Sequence, residues 1–287
     1  MYFSSMIRNY IFALLVITCY FASAQITCSP ADRALYNIKI EALKELKAAS
    51  LGDSIAKVGT SFLGIPYLEK TLEVGTTESL VINLRGLDCT TFVENVLAFT
   101  LVLKTPKKLF HDFTKNLETI RYRNGVLDGY PSRLHYFTDW IRDNEKIGLV
   151  KDITTDLGGV MLEKPINFMG THRDLYPYLK DDKNFKRIQQ TEAELAKETL
   201  CYLPQNLIKA QEKKIKSGDI IALATAIKGL DVTHTGFAIR QPNGRIHLLH
   251  ASSSGEVKIS KVPLVDYLKN IKNNIGIIIA RPLLISS

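Results

Sequence analysis

No stretch of this sequence is apolar for long enough to cross a bilayer. The apolar run from Tyr10 to Ala22 falls short of the roughly 20 residues a spanning helix needs. Internal repeats and low-complexity linkers are absent, so the chain reads as one domain and not as an array. Basic residues outnumber acidic ones, 37 Lys and Arg against 29 Asp and Glu, giving a formal charge of +8. Yet no basic run is interleaved with aromatics, which excludes a nucleic-acid-binding strip. What remains is a solvated basic surface, with anionic envelope polymers or membrane surfaces as the charge-matched partners. Cysteine and histidine are scarce, at four and six, and lack the close ligand pairs typical of zinc sites. No metal and no cofactor is expected.

What the chain does contain begins with an apolar content of 46%, enough for a sizeable core in 287 residues. Arg8, the apolar run and Ala22-Ser23-Ala24 before Gln25 form an export-signal pattern. Residues 1–24 are therefore expected to be removed, leaving a single exported domain over 25–287, periplasmic or secreted. Cys19 raises the alternative of a lipid anchor, although Thr18 before it fits such a site poorly. Cleavage leaves Cys28, Cys89 and Cys201, an odd set in which at least one thiol stays free. Whether Cys28 and Cys201 pair is left open.

Ser29 as N-cap, Pro30 at the first helical position and Asp32 predict a helix reaching about Ala49, with Gly52 at its end. A second helix is expected over Asp53–Leu63, closed by Gly64, followed by an irregular stretch to Asp88. From Cys89 to Leu103, Phe92, Val93, Val96, Leu97 and Thr100 recur at helical spacing and predict a centrally buried helix. The middle, about 105–215, reads as a short helix near Leu109–Ile120, an aromatic-rich stretch, and a charged helix capped at Thr191-Glu-Ala-Glu194. Thereafter the period falls to two: Asp219–Ala224, Thr233–Arg240, Arg245–Ser252, Glu256–Ser260 and Gly276–Arg281 are expected strands, with a helix over Pro263–Ile271. Helices first and a sheet afterwards predict an α+β fold, an antiparallel sheet packed against N-terminal helices.

The chemistry-bearing residues are Asp88-Cys89-Thr-Thr, His234-Thr-Gly and His250-Ala-Ser. A thiol at a helix N-terminus has its charged form favoured by the dipole and free N–H groups. His234 is the candidate base, and His250 the group that orients it, with Ser252 as a nearby substitute. The Cys89 N–H is a ready oxyanion donor. This reading makes a demand on the hairpin between the histidines. A two-residue Asn243-Gly244 turn would send His234 and His250 to opposite faces. Pro242 cannot donate to a ladder, which favours a five-residue loop, Arg240–Gly244, with the histidines directly opposed. A Cys/His/His set holding zinc is the alternative chemistry.

At these positions the sequence resembles the NlpC-like clan of papain-fold cell-wall cysteine hydrolases. The matches are Gly64-Ile-Pro66-Tyr67, Asp88-Cys89-Thr-Thr-Phe-Val, Ser217-Gly218-Asp219-Ile-Ile, His234-Thr-Gly-Phe and Leu249-His250-Ala-Ser, spread over most of residues 50–285. The resemblance implies a papain-like fold with the nucleophile at a helix N-terminus and Cys89, His234 and His250 as the catalytic set. The middle segment, with Tyr130-Pro-Ser-Arg133-Leu-His135-Tyr136-Phe and Asn167-Phe-Met-Gly-Thr171-His172-Arg173, is similar to the N-acetylmuramoyl-L-alanine amidase-like family within that clan. This implies cleavage between N-acetylmuramic acid and L-alanine in peptidoglycan fragments, anhydro-muropeptides included. Tyr67, Tyr130, Arg133, His135 and Tyr136 would then be substrate-binding, and the protein a monomer. Leu68, Glu69 and Lys70 after Tyr67, and Thr90-Thr91 after Cys89, depart from the clan's stem-peptide endopeptidases, which carry a Gly pair and Ser-Gly there. An endopeptidase of the same fold and a non-catalytic envelope-binding protein are the competing readings.

Overall fold

The period-2 alternation of the C-terminal third becomes sheet, as its pattern requires. In the computed structural model, which describes residues 25–283, the strands are β1 (Ile26–Cys28), β2 (Leu80–Ile82), β3 (Val150–Asp152), β4 (Val160–Leu162), β5 (Leu200–Pro204), β6 (Ile220–Thr225), β7 (Val232–Arg240), β8 (Ile246–Ala251), β9 (Val257–Ile259) and β10 (Asn274–Pro282). The helices are α1 (Pro30–Leu43), α2 (Leu51–Thr60), α3 (Cys89–Val102), α4 (Phe110–Arg121), α5 (Phe137–Lys146), α6 (Phe168–Thr171), α7 (Asp182–Leu195), α8 (Gln205–Gln211) and α9 (Leu264–Lys269). The main sheet has the order β4-β5-β10-β6-β7-β8-β9, with β3 also on β10, and every pair in it is antiparallel. The five strands expected from the pattern are β6 to β10. Strands β3, β4 and β5 add to them from the middle segment, where they are too short for alternation to show. The α+β expectation therefore holds, with a sheet larger than foreseen.

Helix α3 is buried continuously from Thr91 to Thr100. Its Phe92, Val96 and Phe99 pack with Phe62 from the turn after α2, with Phe113 of α4 and with Phe237 and Leu249 from the sheet. Each such aromatic, fully buried, contributes roughly 1.5–3 kcal/mol, so the helix that begins at Cys89 is firmly anchored. The opposite sheet face buries Leu223, Ala238, Leu248 and Ile277 under Ile208 of α8 and Leu264 and Leu268 of α9. A third cluster joins Tyr130 and Tyr136 to Ile188 and Leu195 of α7. Among the described residues no helix is long and apolar enough to cross a membrane. The export signal and Cys19 lie outside the described residues.

Three local expectations are corrected. Helix α1 stops at Leu43, and Gly52 is not a C-cap but sits in the first turn of α2, whose N-cap Ser50 accepts the Asp53 N–H at 3.1 Å. Glycine is needed there because another strand of chain crosses: a Cβ on Gly52 would lie 2.2 Å from the Ser217 carbonyl oxygen. The charged helix α7 starts at Asp182 under an Asp181 cap, so Thr191 and Glu194 lie in its last turns and form no capping box. The crossing also fixes Gly218, which has φ +86° and Gly52 Cα only 2.5 Å from where its Cβ would be. Gly218→Ala is expected to lower stability by roughly 1–3 kcal/mol, read from urea unfolding midpoints at unchanged slope.

The hairpin has the required parity by a shorter route. Arg240 pairs with Ile246, Gln241 N–H donates to Arg245 at 2.9 Å, and Gly244 takes φ +78°. The loop is therefore the three residues Pro242-Asn243-Gly244, with glycine at the left-handed position such loops use. His250 lies opposite Gly236, whose added Cβ would meet His250 Cβ at 2.9 Å, and His234 is its diagonal neighbour on the same face. The histidines are offset by two positions instead of directly opposed.

Candidate active site

Cys89 occupies the first position of α3. Asp88, extended at φ −86°, ψ −179°, accepts the Thr91 N–H at 2.7 Å, and Thr91 Oγ1 accepts the Asp88 N–H at 2.9 Å. This reciprocal cap fixes the helix start and leaves the first N–H groups without helical acceptors. The thiol opens onto a cleft of about 290 Å³ lined by Tyr67, Glu69, Glu73, Asp88, Thr90 and Arg133, among others. A larger concavity of about 500 Å³ lies elsewhere, between Arg123, Asp139 and Arg187, and contains neither a thiol nor an imidazole.

The two histidines are brought together. His234 Nε2 and His250 Nδ1 are 2.6 Å apart with ring planes at 88°. His234 follows a bulge: Leu223 pairs with His234 but Ala224 with Val232, leaving Thr233 extra, a device that re-aims side chains beside active sites. His250 is 1% exposed, and its Nε2 has no hydrogen-bond partner. Cys89 meets β7 at Thr235, the residue after His234, and among the described residues Sγ hydrogen-bonds neither imidazole. Such bonds are often long in a substrate-free enzyme.

Burial sets the resting protonation. It pushes the Cys89 thiol up to about 11, helped by the neighbouring Asp88 carboxylate and opposed by Thr235 and Thr90. Burial takes His234 down to about 4, and takes His250, which also faces His234 and Lys258, to about 3. The helix N-terminus was expected to favour the thiolate. Desolvation outweighs it here, so the thiol and both imidazoles are neutral at rest.

The residues expected to bind substrate divide. Tyr67 and Arg133 line the cleft with Cys89. Tyr136 does not: it is 3% exposed, its hydroxyl donates to Glu192 at 2.7 Å and accepts the Met169 N–H at 2.8 Å. It is a core residue tying the 130–137 segment to α7. Tyr130 is equally buried, stacked 4.9 Å from Tyr178 and 4.9 Å from the Arg133 guanidinium, while His135 Nε2 bonds the Tyr130 carbonyl at 3.0 Å. Tyr130 thus backs Arg133, and His135 in turn holds Tyr130. Arg133 itself bridges Glu73 at 2.9 Å and Glu78 at 3.3 Å, so it is already matched by carboxylates.

Sequence reasoning missed Tyr267 of α9. Its ring stands edge-on to His250 at 5.4 Å, and both burial and the facing Cys89 raise its hydroxyl. Only the fold of α9 over the sheet end brings it there. Cys28, Cys89 and Cys201 are all free thiols. Among the described residues no group of three or more His, Cys, Asp or Glu is placed to hold a metal ion.

No curated protein matches this chain. Among solved structures it is similar to an N-acetylmuramoyl-L-alanine amidase from Bacteroides uniformis, at 38% identity over 82% of this chain and 99% of that one, with a TM-score of 0.77. A Bacteroides fragilis protein that carries a provisional xylanase name matches at 41% identity over 78% of this chain and 99% of that one, TM-score 0.74. A Legionella pneumophila protein matches at 26% identity over 88% and 94%, TM-score 0.63. Residues 57–277 match the family described as N-acetylmuramoyl-L-alanine amidase-like, and the chain belongs to that family.

Proposed function

We propose that this protein is an exported, monomeric cysteine amidase of papain-like, NlpC-like type. Its reaction is hydrolysis of the bond between N-acetylmuramic acid and L-alanine in peptidoglycan fragments, with anhydro-muropeptides among them. The observation that carries the reading is Cys89 at a capped helix start against β7, the strand whose His234 is paired with His250 of β8.

With Nε2 of His234 committed to His250, Nδ1 is the nitrogen left to take the thiol proton. His234 then carries hydrogen on Nε2 and donates it to His250 Nδ1, which requires the His250 hydrogen on Nε2. Sulfur attacks the lactyl carbonyl as the proton moves to His234, and the Cys89 N–H faces the developing oxyanion. The imidazolium returns its proton to the leaving L-alanine nitrogen, freeing the stem peptide. Water activated by His234 then hydrolyses the thioester and releases the sugar. Tyr67 borders this path, and Arg133 with Glu73 and Glu78 forms a rigid charged wall instead of an open carboxylate receptor.

A glycosidase would need a pair of cooperating carboxyl groups. Of those lining the cleft, Asp88 is spent in the cap and Glu73 on Arg133, leaving Glu69. Mass spectrometry of defined muropeptides decides among readings: free stem peptide supports the amidase, and shortened stems support an endopeptidase instead. No cleavage at all would favour a binding protein. Because His234 is held down to about 4, kcat/KM should be flat from pH 6 to 8 and fall only as pH drops through about 4, where the base becomes protonated. An acid limb near 6.5 would mean an ordinary solvated imidazole and contradict this site.

A further inference from the structure

We infer that Thr235 is a second support of the nucleophile, its backbone N–H and its hydroxyl together cradling the Cys89 sulfur as the proton leaves. The inference rests on Cys89 being the reactive thiol and adds a residue that the His234–His250 pair does not supply.

Packing of α3 on β7 fixes the register. Phe92 meets Phe237 edge-on with centroids 5.8 Å apart. Three residues back along the helix and two back along the strand are steps of about 5 and about 7 Å, which bring Cys89 over Thr235. Thr235 and Phe237 share the α3-facing side because strand side chains alternate.

Both donors of Thr235 are otherwise unspent. The residue is 1% exposed, and Oγ1 is buried without a hydrogen-bond partner. Gln241 N–H points toward β8, so by alternation the Thr235 N–H points the same way. The β7–β8 ladder, however, ends at Phe237 and Leu249, two residues short of it. Both groups face Sγ without a hydrogen bond to it at rest, and both favour its charged form, against burial and the Asp88 carboxylate. The other titratable groups facing the sulfur are Tyr67, from the segment before α3, and Tyr267, from α9. Neither offers a second fixed backbone donor. Thr235 moves no proton: the thiol hydrogen goes to His234, and the two Thr235 hydrogens remain as donors to the sulfur.

Thr235→Val keeps the shape and removes the hydroxyl, Thr235→Ala removes it with the methyl, and Thr235→Ser retains it. Alkylation of Cys89 by iodoacetamide at pH 8.5, followed on the Cys89 peptide by mass spectrometry, needs no substrate and is separable from amidase activity. About tenfold slower alkylation is expected for Thr235→Val and Thr235→Ala, the equivalent of one pKa unit, with Thr235→Ser within about twofold of the native protein. Muropeptide cleavage should fall by a similar factor in kcat with KM little changed. Wild-type alkylation by a natively melting Thr235→Val, or Thr235→Ser as slow as Thr235→Val, overturns the inference. If native alkylation follows Thr235 while Cys89→Ala still cleaves muropeptides, the cradle stands and the proposed nucleophile falls.

Discussion

Cys89→Ala should lower kcat/KM on a muropeptide by at least about 10⁴-fold while leaving the melting temperature close to native. Removing a covalent nucleophile leaves only binding and oxyanion stabilisation, and residues of one catalytic unit contribute non-additively. Cys89→Ala combined with His234→Ala should therefore be no worse than either alone. The substitution leaves the helix cap intact, since Asp88 and Thr91 make it without the thiol. Single-turnover assays with the purified variant read the loss. Retained cleavage above one part in a hundred would place the nucleophile elsewhere. His250→Ala should fall short of that loss, because His250 reaches the thiol only through His234.

The parts of this fold that were readable in sequence are those in which one local pattern decides. Helix α3 was legible from the helical spacing of its apolar residues, while the Asp88 cap that starts it emerged only in the fold. Strands β6 to β10 followed from alternation and turn residues. The hairpin parity followed from Pro242, against the two-residue turn that Asn243-Gly244 suggests, although the loop closed over three residues where five were expected. What failed depended on partners distant in the chain. Gly52 reads as a helix stop unless Ser217 is known to cross it. Tyr136 beside Arg133 looks like cleft lining until Glu192, 56 residues on, takes its hydroxyl. Strand β5 is five residues long and is recognisable only beside β10. In the site, Cys89 and both histidines were legible because their residue types are rare and their flanks distinctive. Tyr267 and Thr235 were not, since a tyrosine on a short helix and a threonine on a strand carry no signal until packing brings them to the sulfur.

The charged pair under α3 should be the most destructive place to cut the fold. Arg121 of α4 is 1% exposed and donates from Nε to Glu94 at 2.7 Å and from Nη1 to the Val81 carbonyl at 2.7 Å. Glu94 is 2% exposed and lies on the same helix as Cys89, so this pair ties α3 to α4 and β2. Breaking one partner of a buried pair leaves a desolvated charge, at a cost of about 3–5 kcal/mol. Arg121→Met is expected to lose that much in urea unfolding at pH 8. Burial already raises the Glu94 carboxyl above its ordinary range. Without Arg121 the carboxyl should rise further, and a group whose folded pKa lies above its unfolded value gains stability as pH falls. The loss in Arg121→Met should therefore shrink toward pH 5. Arg121→Met with Glu94→Leu should recover much of it, because two apolar side chains of similar volume leave no charge to desolvate. A double variant as unstable as the single one would mean that the Val81 contact, not the ion pair, holds the base of α3 in place.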